Sequence, residues 1–133
     1  MIPAILSDAR TGGAAGITKM RFSECKRTVF DECMRPGGFA FSLRENRVDE
    51  AAFGRLIGAV DALTAHVSRE SSIDRLVVAC LFELPWEMEN TVGHYAKQSP
   101  ELGALVSRMA DGLRRSINNL LWSGLESHYE SLE

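Results

Sequence analysis

A chain of 133 residues, 45% apolar and 25% charged, suits one domain with a single core that needs neither metal nor disulfide to fold. Its net charge of −3 excludes binding driven mainly by phosphate neutralisation. Its three cysteines, Cys25, Cys33 and Cys80, form no Cys-x-x-Cys pair, which excludes a zinc ribbon or a disulfide framework.

The charge is uneven: residues 1–47 carry 8 Lys/Arg against 5 Asp/Glu, and residues 48–133 carry 7 against 13, so +3 faces −6. This pattern suits complementarity within the molecule or between subunits. No charged-then-apolar leader opens the sequence, and no run approaches the ~18 apolar residues that a bilayer span requires. The expectation is a reduced, cytoplasmic protein with no membrane partner.

Residues 1–16 are weakly patterned, and the glycines at 12, 13 and 16 read as a flexible N-terminal arm rather than a phosphate loop, because no Gly-Lys-Ser/Thr follows. From Thr18 to Met34, Phe22, Cys25, Val29 and Cys33 recur at helical spacing, with Phe30 and Met34 widening the stripe. Pro36, Gly37 and Gly38 stop that helix. Phe39 to Leu43 alternates with period two, so residues 36–48 read as an extended connection that docks its phenylalanines on the body or pairs with another copy. Asp49 is a good N-cap for a helix whose buried face holds Phe53, Leu56, Ile57, Val60, Leu63 and Val67.

Ser71 or Ser72 is expected to cap the next helix, which runs to Gln98. Leu76 to Trp86 is apolar on every side except at Glu83, so this segment reads as a central helix wrapped by neighbours, kinked or restarted at Pro85. Ser99-Pro100-Glu101 is the clearest local signal: an N-cap, a proline in the first turn and an acid beside it. The helix it opens carries Leu102, Val106, Met109, Leu113, Ile117 and Leu120 as a near-heptad seam, which Leu121, Trp122 and Leu125 extend. Loops of two or three residues between the three long helices force antiparallel neighbours. The predicted fold is all-α: one domain, an up-and-down four-helix bundle with three long C-terminal helices and one N-terminal helix.

Glu83, Glu87, Asn90 and His94, spaced 4, 3 and 4 apart, share one helical face beside Trp86. Carboxylate and imidazole on one face can take a ligand or trade protons. A di-metal bundle, however, wants Glu-x-x-His motifs on two helices, and the sequence has none. These five residues are the ligand-binding candidates; no catalytic set, metal site or cofactor is implied. No Gly-x-Ser-x-Gly elbow is present, and all the cysteines sit on apolar faces. Arg114, Arg115, Asn118 and Asn119 could face nucleic acid, but their acidic neighbours favour a solvated, ion-paired surface. Phe39, Phe41, Trp122 and Leu125 are candidates for an interface.

Asn90 to His94, followed by Tyr95, resembles the Asn-x-x-x-His of bacterial helical ribonuclease toxins, the HEPN family, over five or six residues. That family places a phosphate-binding arginine just before the asparagine. Here the position is Glu89, which repels phosphate, so the resemblance implies a degenerate relative at most. The leading expectation is a non-enzymatic interaction or regulatory module, a homodimer or a binder of another protein. The alternative is a small-molecule or metal sensor with a pocket beside the kinked helix.

Overall fold

The computed structural model describes residues 21–67 and 72–132. The expected N-terminal arm and the expected helix start at Thr18 lie outside them. Among the described residues the secondary structure is helical throughout, and no helix is long and apolar enough to cross a membrane.

Helix α1 (Phe22–Met34) buries the expected Cys25, Val29 and Cys33. It also buries Glu32, which the apolar pattern did not flag. The chain then turns through Gly37, whose φ of +88° suits glycine. At Gly38 a Cβ would stand 2.2 Å from the Asp31 carbonyl oxygen, so the backbone passes too close for a side chain.

Residues 39–44, expected to be extended, instead form the short helix α2 (Phe39–Arg44). Two distant side chains account for this. Glu32 Oε1 accepts the otherwise orphaned Phe39 N–H at 3.0 Å, and the Tyr95 hydroxyl donates to the Leu43 carbonyl at 2.7 Å. Asn46, at φ +65°, closes the turn that follows.

Helix α3 (Glu50–Val67) opens as expected, with Asp49 Oδ1 accepting from the Ala52 amide at 3.0 Å. It buries Leu56, Val60 and Leu63, with Phe53 and Ile57 half-covered. The next cap is Asp74 rather than Ser72, and Ser71 lies outside the described residues. Asp74 accepts from the Leu76 amide at 2.8 Å while also holding Lys26 Nζ at 2.8 Å. A carboxylate that can cap and pair at once outcompetes a serine.

The expected central helix is two helices, α4 (Arg75–Phe82) and α5 (Leu84–Gln98), meeting at Glu83. Pro85 sits in the first turn of α5, where its missing amide has no intrahelical partner to lose. Nor is Leu76–Trp86 wrapped on all sides. Val77, Cys80, Leu81, Leu84 and Pro85 face inward, whereas Leu76 (53% exposed), Phe82 (70%) and Trp86 (64%) face out. Neighbours cover one stripe, and the apolar surplus goes to the surface.

Helix α6 (Pro100–Trp122) begins with the Ser99 hydroxyl accepting from the Leu102 amide at 3.3 Å. Its seam is buried at Val106, Met109, Leu113 and Leu120. Gly103 lets α5 approach closely, since a Cβ there would lie 2.6 Å from that of Ala96. After a turn through Gly124 (φ +74°) comes α7 (Glu126–Glu130), which buries no residue. Helix α6 packs along α5 and α3, and α1 lies against α3 and α4; α2 rests on α1 and α3. One contiguous core joins these elements.

Candidate functional site

The α4–α5 junction and the C-terminal half of α6 enclose a groove of about 570 Å³. One wall is apolar: Val78, Leu81, Phe82, Pro85 and Trp86. The other runs along α6 through Arg114, Arg115, Ile117, Asn118, Asn119, Leu120 and Leu121. Arg114, Asn118 and Leu121 form a helical stripe next to the seam residues Ile117 and Leu120, so core and groove meet along this edge of α6.

Arg114 is fixed in place. Its guanidinium lies over the Trp86 ring, 5.9 Å from the centroid, and reaches Glu89 Oε2 at 2.5 Å and Asp111 Oδ1 at 3.6 Å. The hydrogen bond from Arg114 holds the Glu89 carboxyl below its ordinary range, and the same bond raises Arg114. Arg115 is exposed and makes no ion pair among the described residues. The groove therefore pairs an aromatic wall with a cationic and amide one, a chemistry suited to apolar side chains carrying acids at their edge.

Of the five ligand-binding candidates, only Trp86 lines this groove. Glu83 and Asn90 are exposed. Glu87 pairs with Arg44, whose Nη2 donates to Oε1 at 2.9 Å. His94 Nε2 lies 2.7 Å from Asn46 Oδ1, which also receives the Gln98 side-chain amide. With the Tyr95–Leu43 bond, Glu87 and His94 fasten α2 and the connection after it to α5, and neither reaches the groove. Burial raises the Tyr95 hydroxyl pKa. The His94 and Glu89 of the ribonuclease-like motif thus both have protein partners, Asn46 and Arg114.

Among the interface candidates, Phe39 is a core residue and offers nothing to a partner. It is fully buried, its ring 5.1 Å from that of Phe53. Its place in a helix rather than a strand turned it inward. Phe41 is half-covered, with the Arg44 guanidinium 5.2 Å from its centroid. Trp122 is 64% exposed, next to Leu121, and Leu125 is half-buried before α7.

Burial raises all three thiols, and Cys33, next to Cys80, is pushed up to about 12. At neutral pH such groups pack as small apolar side chains rather than act as thiolates. Among the described residues no group of three or more His, Cys, Asp or Glu is placed to hold a metal ion. Phe82, Leu121 and Arg115 are the groove residues that sequence reasoning did not join to Trp86. The available signal was the excess of apolar residues in 76–86 over what one helical face can bury.

Against models of protein families, against curated proteins and against solved structures, the chain has no match.

Proposed function

We propose that this chain is a non-enzymatic interaction module that forms a homodimer through the groove between the α4–α5 junction and α6. One observation carries the reading: Phe82, Trp86 and Leu121, large and exposed, line a single concavity, with the exposed Trp122 beside it. Contiguous apolar surface of this kind on a soluble domain marks a contact site, and tryptophan facing arginine is a composition typical of binding hot spots. The finer layout, four helical legs running up and down with the break at Glu83–Pro85, belongs to the same reading. So does a reducing, cytoplasmic setting, which the three free thiols favour.

Sedimentation from micromolar to millimolar concentration tests the proposal. Wild type is expected to dimerise, and Trp86→Ala to weaken the dimer by about 30-fold or more, the effect of a hot-spot residue. A strict monomer across that range refutes it.

A second reading uses the same groove for a small molecule. It is favoured by the volume of about 570 Å³ and by a lining that holds Trp86 together with Arg115 and Asn118, a composition suited to a flat anionic ligand. A thermal-shift panel of aromatic acids separates the readings: a ligand that raises the melting temperature of a monomeric wild type, but not of Trp86→Ala, favours the second.

A further inference from the structure

Helix α7 carries an apolar stripe that is half-buried at Leu125 and exposed beyond it. Leu125, Tyr129 and Leu132 recur at i, i+4 and i+7, with Tyr129 66% and Leu132 81% exposed. The near-helical course continues past Glu130, since the Ser131 amide donates to Ser127 and the Leu132 amide to Tyr129. Glu126 and Glu130 form an acidic stripe alongside. The groove is the complement of this element: apolar on one wall and edged by Arg115, which has no ion pair among the described residues. Yet α7 contributes nothing to the groove of its own chain. The turn at Gly124, closed by the Leu125 amide on the Trp122 carbonyl at 3.1 Å, directs it elsewhere.

We propose that the groove of one copy receives α7 of a second copy, with Tyr129 and Leu132 entering against Phe82 and Trp86 and with Glu126 and Glu130 meeting Arg115. This rests on the dimer reading above and names its contact. Because each copy carries both groove and helix, the exchange is reciprocal and closes as a two-fold dimer. Apolar contact supplies the affinity, and the acid–arginine match fixes the direction in which α7 lies.

A charge-swap experiment tests it. Arg115→Glu gives a chain whose groove and α7 are both acidic; Glu126→Lys with Glu130→Lys gives one whose groove and α7 are both basic. Each alone is expected to dimerise at least about tenfold more weakly than wild type, and an equimolar mixture to recover a heterodimer, with circular dichroism melts unchanged at concentrations where every variant is monomeric. Tyr129→Ala with Leu132→Ala is expected to abolish the dimer while sparing the melt of the monomer, as the exposure of both side chains requires.

If that double variant dimerises like wild type while Trp86→Ala does not, the groove holds another face of the copy; the α7 seat is overturned and the dimer reading stands. A mixture of folded charge variants that stays monomeric also overturns the seat. A strict wild-type monomer, including one whose α7 closes on its own groove, overturns both.

Discussion

Two alanine substitutions on α6 should move stability in opposite directions. At Gly103 an added Cβ would meet the Ala96 Cβ at 2.6 Å, its Cα at 2.8 Å and its N at 3.0 Å. Carbon atoms in contact prefer about 3.5–4.0 Å, and none of these atoms has a rotamer to yield, so α5 and α6 must separate locally. The gain in helix propensity over glycine is about 1 kcal/mol, whereas overpacking of this kind costs about 1–3 kcal/mol. Together with the packing lost along the separating helices, Gly103→Ala should destabilise by about 1–2 kcal/mol. At Gly112 the nearest atom is the end of the Arg115 side chain at 3.8 Å, an ordinary contact. The propensity gain then stands alone, and Gly112→Ala should stabilise by about 0.5–1 kcal/mol. Urea denaturation followed by far-ultraviolet circular dichroism reads both as shifts of midpoint at constant slope. A Gly103→Ala midpoint at or above wild type refutes the close α5–α6 approach, and a Gly112→Ala midpoint below wild type refutes the open space at Gly112.

Glu32→Ala should destabilise by about 2–3 kcal/mol, because it strips a buried charged acceptor from the Phe39 amide. Arg55→Ala should be much milder, since its side chain is 55% exposed and can be hydrated; equal urea midpoints for the two would refute this assignment. Tyr95→Phe leaves the Leu43 carbonyl without its donor and should cost about 1–2 kcal/mol, with amide exchange quickening most in residues 39–47; uniform quickening would deny the tether. Asp49 is held below its ordinary pKa by the Ala52 amide, Asp74 by Lys26, and Glu89 by Arg114. Carboxyls depressed in the fold add stability that is complete above their unfolded values, about 3.9 for Asp and 4.3 for Glu, and lost as pH falls through the folded ones, so Tm should drop below about pH 4 and not rise. Leu120→Ala should cost about 2–5 kcal/mol because the side chain is buried in the core although it also borders the groove, while Leu121→Ala should leave the melt of the monomer nearly unchanged and weaken only the dimer; similar melts would mean that Leu121 packs into the core as well.

Signals confined to one turn of helix were legible in the sequence. Ser99-Pro100-Glu101 located the start of α6, and the spacing of Val106, Met109, Leu113 and Leu120 located its buried seam, because both depend only on local geometry. The α2 segment was not legible, because five residues fit two periods. Phe39, Ala40 and Leu43 form a helical face as readily as Phe39, Phe41 and Leu43 alternate along a strand. The tie is decided by Glu32 and by Tyr95, the latter 52 residues from its acceptor. The Glu83–His94 stripe was legible as a face of α5, but its partners Arg44 and Asn46 come from another part of the chain, and they turn it from a ligand site into a fastening. Residues 76–86 misled in an informative way. Uniform apolarity suggests burial on all sides, whereas the core takes only Val77, Cys80, Leu81, Leu84 and Pro85 and leaves Leu76, Phe82 and Trp86 exposed.

The surplus on that segment bears directly on how the groove can bind. Covering an exposed Phe, Trp or Leu contributes about 1.5–3 kcal/mol when burial is complete and less where, as at Leu121, the side chain is already half-covered. Phe82, Trp86 and Leu121, already covered in part, together then supply about 3–5 kcal/mol in one groove. Association costs an estimated 4–15 kcal/mol in lost translational and rotational freedom, so a single groove gripping an isolated apolar segment sits near break-even. A two-fold exchange changes the balance, since the second groove and the second α7 add their contacts while that loss of freedom is incurred once. Tyr129 and Leu132, the most exposed of the large apolar side chains outside the groove, contribute on the other side of each contact. In the proposed exchange, a groove too small to hold a lone peptide tightly would suffice because it is presented twice, with groove and helix both drawn from the sequence between Val78 and Leu132.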